Sequence, residues 1–162
     1  MTHIAIRQAG PLDTRPIADL LNEVIAEGGT TAMTEPVTPD QIRGWMARDP
    51  RAIWHIAEAE DGTLMGFQWI DPHPRLGAEV AQIATFARVG KTGLGIGSKL
   101  FEATKSAARA EHYAWINAEI RADNAGGLTY YQSRGFEDYD RIADYPLEDG
   151  TTVDKILKRY DL

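Results

Sequence analysis

The spacing of apolar residues along the chain predicts a strand, two helices and then a series of strands interrupted by two further helices. Residues 2–9 alternate between apolar and polar side chains, which predicts a short first strand. A helix follows, because Asp13 or Thr14 can cap its start and Gly28-Gly29 can end it. Its inward positions follow the spacing i, i+3, i+4, i+7 and i+8 of one helix face: Ile17, Leu20, Leu21, Val24 and Ile25.

A capping box opens the second helix. In Thr38-Pro39-Asp40-Gln41 a hydroxyl occupies the N-cap, proline the first helical position and glutamine the third. This helix stops before Pro50. Two strands, at 51–58 and 63–70, follow it and form a hairpin, because Asp61-Gly62 accepts the positive φ that tight hairpin turns require.

The second half of the chain alternates strands with helices. The predicted elements are a loop at 71–74, a strand at 78–89, a helix at 98–110, a strand at 113–120, a helix at 125–134 and two strands around the turn at 148–150. The longer helix is expected to turn these residues inward: Leu100, Phe101, Thr104, Ala107 and Ala108. This order predicts the mixed α/β class, and no repeat or linker divides the single domain expected over residues 1–162.

The composition restricts the kind of protein. With 162 residues, of which 43% are hydrophobic, the chain is long enough to bury one sizeable core. Its 24 acidic and 17 basic residues give a net charge of −7, and no basic run is present, so nucleic acid is not an expected partner. No apolar run reaches the length of a membrane span and the start lacks a signal-peptide core, which predicts a cytoplasmic protein without membrane contact.

Several reaction types are excluded by what the sequence lacks. The chain has no cysteine, so a disulfide, a thiol nucleophile and a thiolate metal site are impossible. No serine lies in the Gly-x-Ser-x-Gly setting of a serine hydrolase. The four histidines contain no pair at the spacing of metal ligands, so no metal is expected: His3, His55, His73 and His112.

The run Lys91-Thr92-Gly93-Leu94-Gly95-Ile96-Gly97-Ser98 places three alternate glycines between a predicted strand and a predicted helix. Glycine lets the backbone approach a ligand closely, and the amides at the start of a helix attract anions. The loop therefore predicts a site for a phosphorylated cofactor. A Walker loop is excluded because the position of its first glycine holds Thr85, and a dinucleotide fingerprint, the alternative, would place its third glycine at Ser98.

Together with two motifs, the order of elements resembles the GNAT superfamily of acyl-CoA-dependent N-acyltransferases over nearly the whole chain. The family's cofactor loop, Gln/Arg-x-x-Gly-x-Gly/Ala, falls on 92–97, where both glycines match and Thr92 replaces the usual Gln or Arg. Neighbouring Lys91 is a candidate to supply the missing charge. The family's later segment, Asn, six residues, Tyr, three residues, Gly-Phe, is matched by Asn124, Tyr131 and Gly135-Phe136.

This resemblance implies a central, mostly antiparallel sheet of about seven strands with four helices, splayed between the fourth and fifth strands. It also implies acetyl-CoA as co-substrate, held mainly by backbone amides of the loop and of the preceding strand. The implied cofactor contacts are Phe86, Ala87, Val89, Thr92, Gly93, Leu94, Gly95, Ile96, Gly97, Ser98 and Asn124. As a helix N-cap, Asn124 also has a structural reason to be present, and the two roles are compatible.

A third stretch resembles one branch of the superfamily. Residues 118–124 are similar to the Leu-Glu-Val-Arg-x-x-Asn of the ribosomal-protein alanine acetyltransferases, in which the glutamate is the general base and a tyrosine twelve residues later the general acid. Glu119 and Tyr131 stand at that spacing. Alternatively, Glu119 is a solvated carboxylate of the strand, and the general base is a residue of a loop. Tyr131 is alternatively a core aromatic, and Tyr130 beside it can take either part.

Acetyl transfer from a thioester to an amine requires a proton acceptor and a proton donor. An ammonium group with a pKa of about 10 is almost wholly charged at neutral pH, so a carboxylate must take its proton, directly or through water. The departing thiolate, with a pKa of about 8.5, can accept a proton from a phenol of pKa about 10 when the two are in contact.

The acceptor stays open on the sequence alone. The amino-terminal half, with Thr30-Thr31 and Thr34-Glu35-Pro36, looks more like the amino-acid and phosphinothricin acetyltransferase branch, which implies a small amine such as an amino acid or an analogue. The alternatives are a protein amino terminus and a non-catalytic acyl-CoA-binding module. Asp71, His73 and Glu79 line the acceptor pocket or lie in a solvated loop. The tryptophans are assigned to core or dimer packing, and a homodimer is the general expectation for a soluble chain: Trp45, Trp54, Trp69 and Trp115.

Overall fold

The computed structural model describes residues 3–88 and 95–162. In these two segments the strands are β1 (Ile4–Gln8), β2 (Ile53–Ala59), β3 (Leu64–His73), β4 (Gly77–Ala87), β5 (Trp115–Arg121), β6 (Glu137–Pro146) and β7 (Thr152–Asp161). The helices are α1 (Thr14–Glu27), α2 (Pro39–Ala47), α3 (Ile96–Ala110) and α4 (Ala125–Ser133). The predicted mixed α/β class with seven strands and four helices is confirmed.

The strands form one sheet with the order β1-β2-β3-β4-β5-β7-β6. Neighbouring strands are antiparallel except β4 and β5, which are parallel and share only the pairs Val80–Trp115, Ala81–Ile116 and Gln82–Asn117. Beyond Gln82–Asn117, β4 continues to Ala87 and β5 to Arg121 without further pairing between them in the described chain. The predicted splay between the fourth and fifth strands is therefore confirmed, and we call this divergence the opening.

Each face of the sheet carries its own core. On the α1–α2 face, helices α1 and α2 cover an aromatic stack in which the rings of Trp54 and Trp69 are 4.1 Å apart at their centroids. On the α3–α4 face, Phe101 of α3 and Tyr131 of α4 pack on the inward side chains of β5, among them Ala118. Since strand side chains alternate between faces, Glu119 lies on the α1–α2 face and its neighbours on the other.

Local sequence signals fix the helix ends. At the start of α2, the Thr38 hydroxyl accepts a hydrogen bond from the backbone N–H of Gln41 at 3.1 Å. The Gln41 side chain accepts one from the backbone N–H of Thr38 at 2.8 Å, as the capping box predicts. Gly28 ends α1 with a φ of 78°. Helix α3 starts at Ile96, two residues earlier than predicted, because the fully buried Ile96 packs against the sheet. No helix of the described segments is long and apolar enough to cross a membrane.

The predicted end of the third strand is wrong. The loop expected from Asp71 is the last part of β3, which continues to His73 before the turn at residues 74–76. Pro72 is tolerated in this strand because the β2–β3 ladder ends at Ile53–Ile70, so no β2 carbonyl needs an amide hydrogen from Pro72. The extension matters because it carries His73 into the interior.

Candidate active site

The Glu119 carboxylate lies on the α1–α2 face of β5, beside the opening, and its side chain is only 10% exposed. Its Oε2 atom accepts a hydrogen bond from Asn117 Nδ2 at 3.1 Å and lies 3.1 Å from His73 Nε2. Its Oε1 atom lies 3.5 Å from the Lys155 ammonium of β7. A buried carboxylate is stable only when it is paired and hydrogen-bonded, and these contacts meet that condition.

Further polar side chains support these contacts. Asn117 is fully buried, donates to Gln82 Oε1 at 2.7 Å and accepts the Tyr139 hydroxyl. Burial and the negative charge of Glu119 raise the pKa of Tyr139. The Lys155 ammonium lies 3.5 Å from the centre of the Tyr145 ring, so both a carboxylate and an aromatic face compensate its charge. Strands β3, β4, β5, β6 and β7 thus all contribute to one buried polar cluster.

Tyr131 lies on the opposite face. Its hydroxyl is 2.7 Å from Thr85 Oγ1 of β4, and Gln68 Nε2 donates to the same Thr85 oxygen at 2.8 Å. Burial raises the pKa of Tyr131, so the phenol holds its proton at neutral pH. The Gln68 Oε1 atom is buried and has no hydrogen-bond partner among residues 3–88 and 95–162. The surroundings of Tyr131 are therefore neutral hydroxyl and amide groups.

The neighbouring Tyr130 fastens α4 to the first turn of α3. Its hydroxyl donates to the Gly97 carbonyl at 2.7 Å and accepts from Gln68 Nε2 at 3.1 Å. A Cβ on Gly97 would stand 2.5 Å from Tyr130 Cε1, so this glycine permits the close approach of the ring. Burial raises the pKa of Tyr130 to about 12. The Tyr130 hydroxyl is thus bound to the backbone of α3 and to Gln68, whereas the Tyr131 hydroxyl is bound to Thr85 of β4.

The two predicted catalytic side chains are not in contact. Glu119 projects from the face opposite to that of Ala118, and Ala118 packs in the same cluster as Tyr131. The sheet therefore separates the carboxylate from the phenol. Thr85, the partner of Tyr131, lies on the part of β4 that no longer pairs with β5 in the described chain. Glu119 lies on the corresponding part of β5, so both side chains border the opening.

The described part of the predicted phosphate loop is the start of α3. Val89, Thr92, Gly93 and Leu94 lie outside the described residues. Gly95 precedes the helix in a left-handed conformation with a φ of 72°, and Ile96, Gly97 and Ser98 form the first turn, whose amides lack partners within the helix. Gly95 is a position where the absence of a Cβ removes backbone strain.

The first turn of α3 lies against the end of β4. Phe86 and Ala87 end that strand and pair with Phe67 and Gly66 of β3. A Cβ on Gly66 would stand 2.8 Å from Ile96 Cγ2 and 2.9 Å from the Phe86 carbonyl oxygen, so glycine is required for this packing. The backbone of Phe86 and Ala87 and the amides of α3 are thereby brought to the same end of the opening.

Asn124 caps α4 and also holds the loop that follows α1. Its Oδ1 accepts the Gly127 amide at 3.0 Å, and its Nδ2 donates to the Thr30 carbonyl at 3.3 Å. Arg121 donates to the Thr31 carbonyl at 3.0 Å. The predicted structural role of Asn124 is present, and the loop after α1 is tied to the end of β5 beside the opening.

A cavity of about 330 Å³ lies on the α1–α2 face next to this loop. Its walls comprise Met33, Glu35, Pro36, Val37, Gln41, Trp45, Arg48, Trp69 and Glu148. Trp69 pairs with Ala84 of β4. Ala84 lies two residues after the last residue of β4 that pairs with β5, and Glu119 lies two residues after the last residue of β5 that pairs with β4. The cavity therefore borders the opening on the face that carries Glu119, although Glu119 itself is not one of its walls.

Of the side chains that the sequence associated with the acceptor, Asp71 and His73 are buried and Glu79 is exposed. Asp71 pairs with Arg48 at the edge of the cavity. His73 contacts Glu119, so neither residue belongs to a solvated loop. Sequence reasoning missed Asn117, Lys155 and Thr85. Only the alternation of Asn117 with Glu119 on one strand face could have signalled the first.

Comparisons with known proteins identify the family. The family model of the acetyltransferase (GNAT) family matches residues 18–136. A phosphinothricin N-acetyltransferase of Streptomyces coelicolor is 27% identical over 139 residues, which cover 82% of this chain and 81% of that protein. The chain therefore belongs to the GNAT family and is an N-acetyltransferase.

Two solved structures share the fold. A GNAT superfamily phosphinothricin acetyltransferase from Sinorhizobium meliloti, in complex with acetyl-CoA, superposes with a TM-score of 0.87 at 17% identity, over 98% of this chain and 88% of that one. The ribosomal-protein-alanine N-acetyltransferase from Brucella melitensis superposes with a TM-score of 0.88 at 22% identity, over 98% of this chain and 99% of that one. Both acceptor branches considered from the sequence therefore share this fold.

Proposed function

We propose that this chain transfers an acetyl group from acetyl-CoA directly to a primary amine of a small molecule, with no covalent enzyme intermediate, and that residues 1–162 act as one domain. The observation that carries the proposal is the opening between β4 and β5, which has a charge-compensated carboxylate on one face and a protonated phenol on the other. A thioester in the opening can be reached from both faces.

The residues at one end of the opening fit a CoA-type cofactor. The first-turn amides of Ile96, Gly97 and Ser98 provide donors for its pyrophosphate, together with the predicted contacts of Thr92, Gly93, Leu94 and Gly95. Beyond Gln82, the β5-facing backbone groups of β4 lack a strand partner in the described chain and can bind the pantetheine arm at Phe86 and Ala87, next to the predicted contact Val89. The side chain of Asn124 is a further predicted contact.

Glu119 is the proposed general base. The acceptor amine arrives as an ammonium ion, and Glu119 takes its proton directly or through a water molecule, because the carboxylate is nearly buried but lies beside the opening. Lys155 stabilises the ionised carboxylate before the proton arrives. The neutral amine then attacks the thioester carbonyl carbon and forms the new C–N bond.

Tyr131 is the proposed general acid. As the C–S bond breaks, the phenol gives its proton to the departing sulfur, and free CoA leaves as a thiol. Burial keeps this phenol protonated until the thiolate forms, and the contact with Thr85 Oγ1 fixes the direction of the hydroxyl. The acylated nitrogen then loses its second proton to solvent, Glu119 also gives its proton to solvent, and the Tyr131 phenolate takes one proton back. The products are the neutral N-acetylated amine, CoA as a thiol and one proton.

A small acceptor is supported by the cavity beside the opening. Its volume of about 330 Å³ suits an amino acid or an analogue, and its wall combines the Trp45–Trp69 stack with the carboxylates of Glu35 and Glu148. The name of the Streptomyces coelicolor relative also supports a small-molecule acceptor. A cytoplasmic location and a homodimer stay predictions from the sequence.

The experiment is a thiol-release assay with acetyl-CoA against amino acids, polyamines and peptides, combined with calorimetric titration of acetyl-CoA. We expect binding of acetyl-CoA and release of free thiol only with some of the small amines. Thiol release with peptides alone would replace the small acceptor by a protein amino terminus. Binding without release for any amine would indicate a non-catalytic acyl-CoA-binding module.

A further inference from the structure

The His73 ring is held at both nitrogens. The side chain is only 3% exposed, although it stands at the end of a strand next to a turn. Its Nδ1 atom accepts hydrogen bonds from the backbone N–H groups of Arg75 and Leu76, with an N···N distance of 3.1 Å in each case. Its Nε2 atom lies 3.1 Å from Glu119 Oε2.

These contacts assign the position of the ring proton. A backbone amide can only donate, so the Nδ1 atom that faces two amides must present a lone pair. The proton of the neutral imidazole is then on Nε2, where it donates to the Glu119 carboxylate. The turn at residues 74–76 thus selects the tautomer that can bind the carboxylate.

Two hydrogen-bond donors and one ammonium group, from three strands, determine how Glu119 is oriented. His73 of β3 and Asn117 of β5 both bind Oε2, while Lys155 of β7 faces Oε1. A glutamate side chain has three rotatable bonds, and without the His73 contact the carboxylate can turn toward the ammonium of Lys155. With both hydrogen bonds on Oε2 and the Lys155 ammonium beside Oε1, the second lone pair of Oε1 is the position for the amine proton.

From this geometry we infer that His73 is a positioning residue, which uses its Nε2–H to hold the Glu119 carboxylate in the orientation that receives the amine proton. The inference rests on the proposed function of Glu119 as general base. His73 itself carries no proton between substrate and solvent, because its second nitrogen is occupied by the two amides of the turn. Its contribution is orientation, and a misplacement of about 1 Å in a catalytic group can cost about 100-fold in rate.

The kinetic test compares His73→Leu with His73→Gln. Leucine removes the donor but keeps apolar volume, whereas the glutamine amide can offer an N–H close to the position of Nε2. We expect His73→Leu to lower kcat by about 10- to 100-fold with the KM for acetyl-CoA within about twofold, and His73→Gln to retain kcat within about threefold. Equal impairment of both variants, or wild-type activity of His73→Leu, would overturn the inference.

A second measurement needs neither turnover nor the leucine variant. Ring nitrogen chemical shifts of ¹⁵N-histidine-labelled wild-type protein at pH 7.5 report the tautomer, and the His73→Gln spectrum identifies the His73 signals by their loss. We expect a protonated Nε2 and an unprotonated Nδ1. A proton on Nδ1 contradicts the inference.

The outcome also separates this inference from the proposed function. If wild-type protein releases thiol and Glu119→Gln does not, but His73→Leu equals wild type, only the positioning role fails. If no amine supports turnover in wild type, the proposed function fails, and the nitrogen shifts still decide whether the His73–Glu119 bond exists. His55→Gln serves as the control variant, since His55 lies on β2 away from this cluster.

Discussion

The two faces of the opening differ in how they treat charge. On the α1–α2 face, the Glu119 carboxylate is hydrogen-bonded by an imidazole and an amide and lies 3.5 Å from an ammonium group. On the α3–α4 face, Tyr131 is surrounded by the Thr85 hydroxyl and aromatic rings, and burial favours the neutral phenol. The sheet keeps these two settings apart.

This difference shows how one site can hold a base and an acid at the same pH. In direct contact the phenol would donate its hydrogen bond to the carboxylate, so the proton donor and the proton acceptor would be occupied with each other instead of with the substrate. Because the sheet separates them, the α1–α2 face, here called the ionic face, can supply the proton acceptor. The α3–α4 face, here called the neutral face, can supply the proton donor. A substrate that enters between β4 and β5 would contact both, which is why the short β4–β5 ladder is central to the proposal.

The largest effect is expected when the ionic face loses its negative charge. Glu119→Gln preserves size and hydrogen-bonding ability but cannot take a proton, so we expect kcat for the best amine to fall about 1,000-fold at pH 7.5. The measurement is steady-state thiol release. Glu79→Gln, an exposed carboxylate near the start of β4, should leave kcat unchanged. More than a tenth of wild-type kcat in Glu119→Gln would move the base to a loop residue.

A smaller loss is expected when the neutral face loses its proton donor. Tyr131→Phe removes only the hydroxyl, so we expect kcat to fall about 100-fold while the calorimetric Kd for acetyl-CoA stays within about twofold. Tyr160→Phe, in the same aromatic cluster, is the matched control and should behave as wild type. Full activity of Tyr131→Phe would show that the thiolate leaves without this phenol, and equal losses in both variants would indicate a packing effect.

The smallest effect is expected on the free energy of unfolding at alkaline pH, through the buried Tyr130 of the neutral face. Because the folded-state pKa of Tyr130 is about 12, above the ordinary value of 10.0, its contribution to stability is complete below about pH 10 and is lost as the pH rises toward 12. The free energy of unfolding of the wild-type protein falls between pH 8 and pH 11. In Tyr130→Phe this fall should be smaller by about 1 kcal/mol. Urea unfolding at the two pH values measures this difference. An unchanged loss would mean that Tyr130 is not buried as a neutral group.

Local signals were sufficient for most of the secondary structure. The Thr38–Gln41 capping box and the glycine at the end of α1 predicted helix ends that the structure confirms, because caps depend on contacts within a few residues. The end of β3 was predicted wrongly at Asp71-Pro72, because whether a proline fits a strand depends on how far its neighbour strand extends.

The candidate site was predicted unevenly. The resemblance to one motif, with its spacing of twelve residues, selected Glu119 and Tyr131 as candidates, and the structure places both beside the opening. Two of the groups that surround Glu119, His73 and Lys155, come from β3 and β7. His73 lies 46 residues before Glu119, and no periodicity along the chain connects these residues. The same holds for Thr85, which meets Tyr131 across 46 residues.

The sequence by itself determined the elements, their order and the family, because hydrophobic spacing, caps and glycine positions act over short distances along the chain. Only the tertiary structure decided that a histidine at the end of β3 binds the Glu119 carboxylate, that Lys155 compensates its charge, and that the phenol lies on the other face. These facts depend on strand order and register, which bring distant residues within hydrogen-bonding distance and which local patterns do not encode.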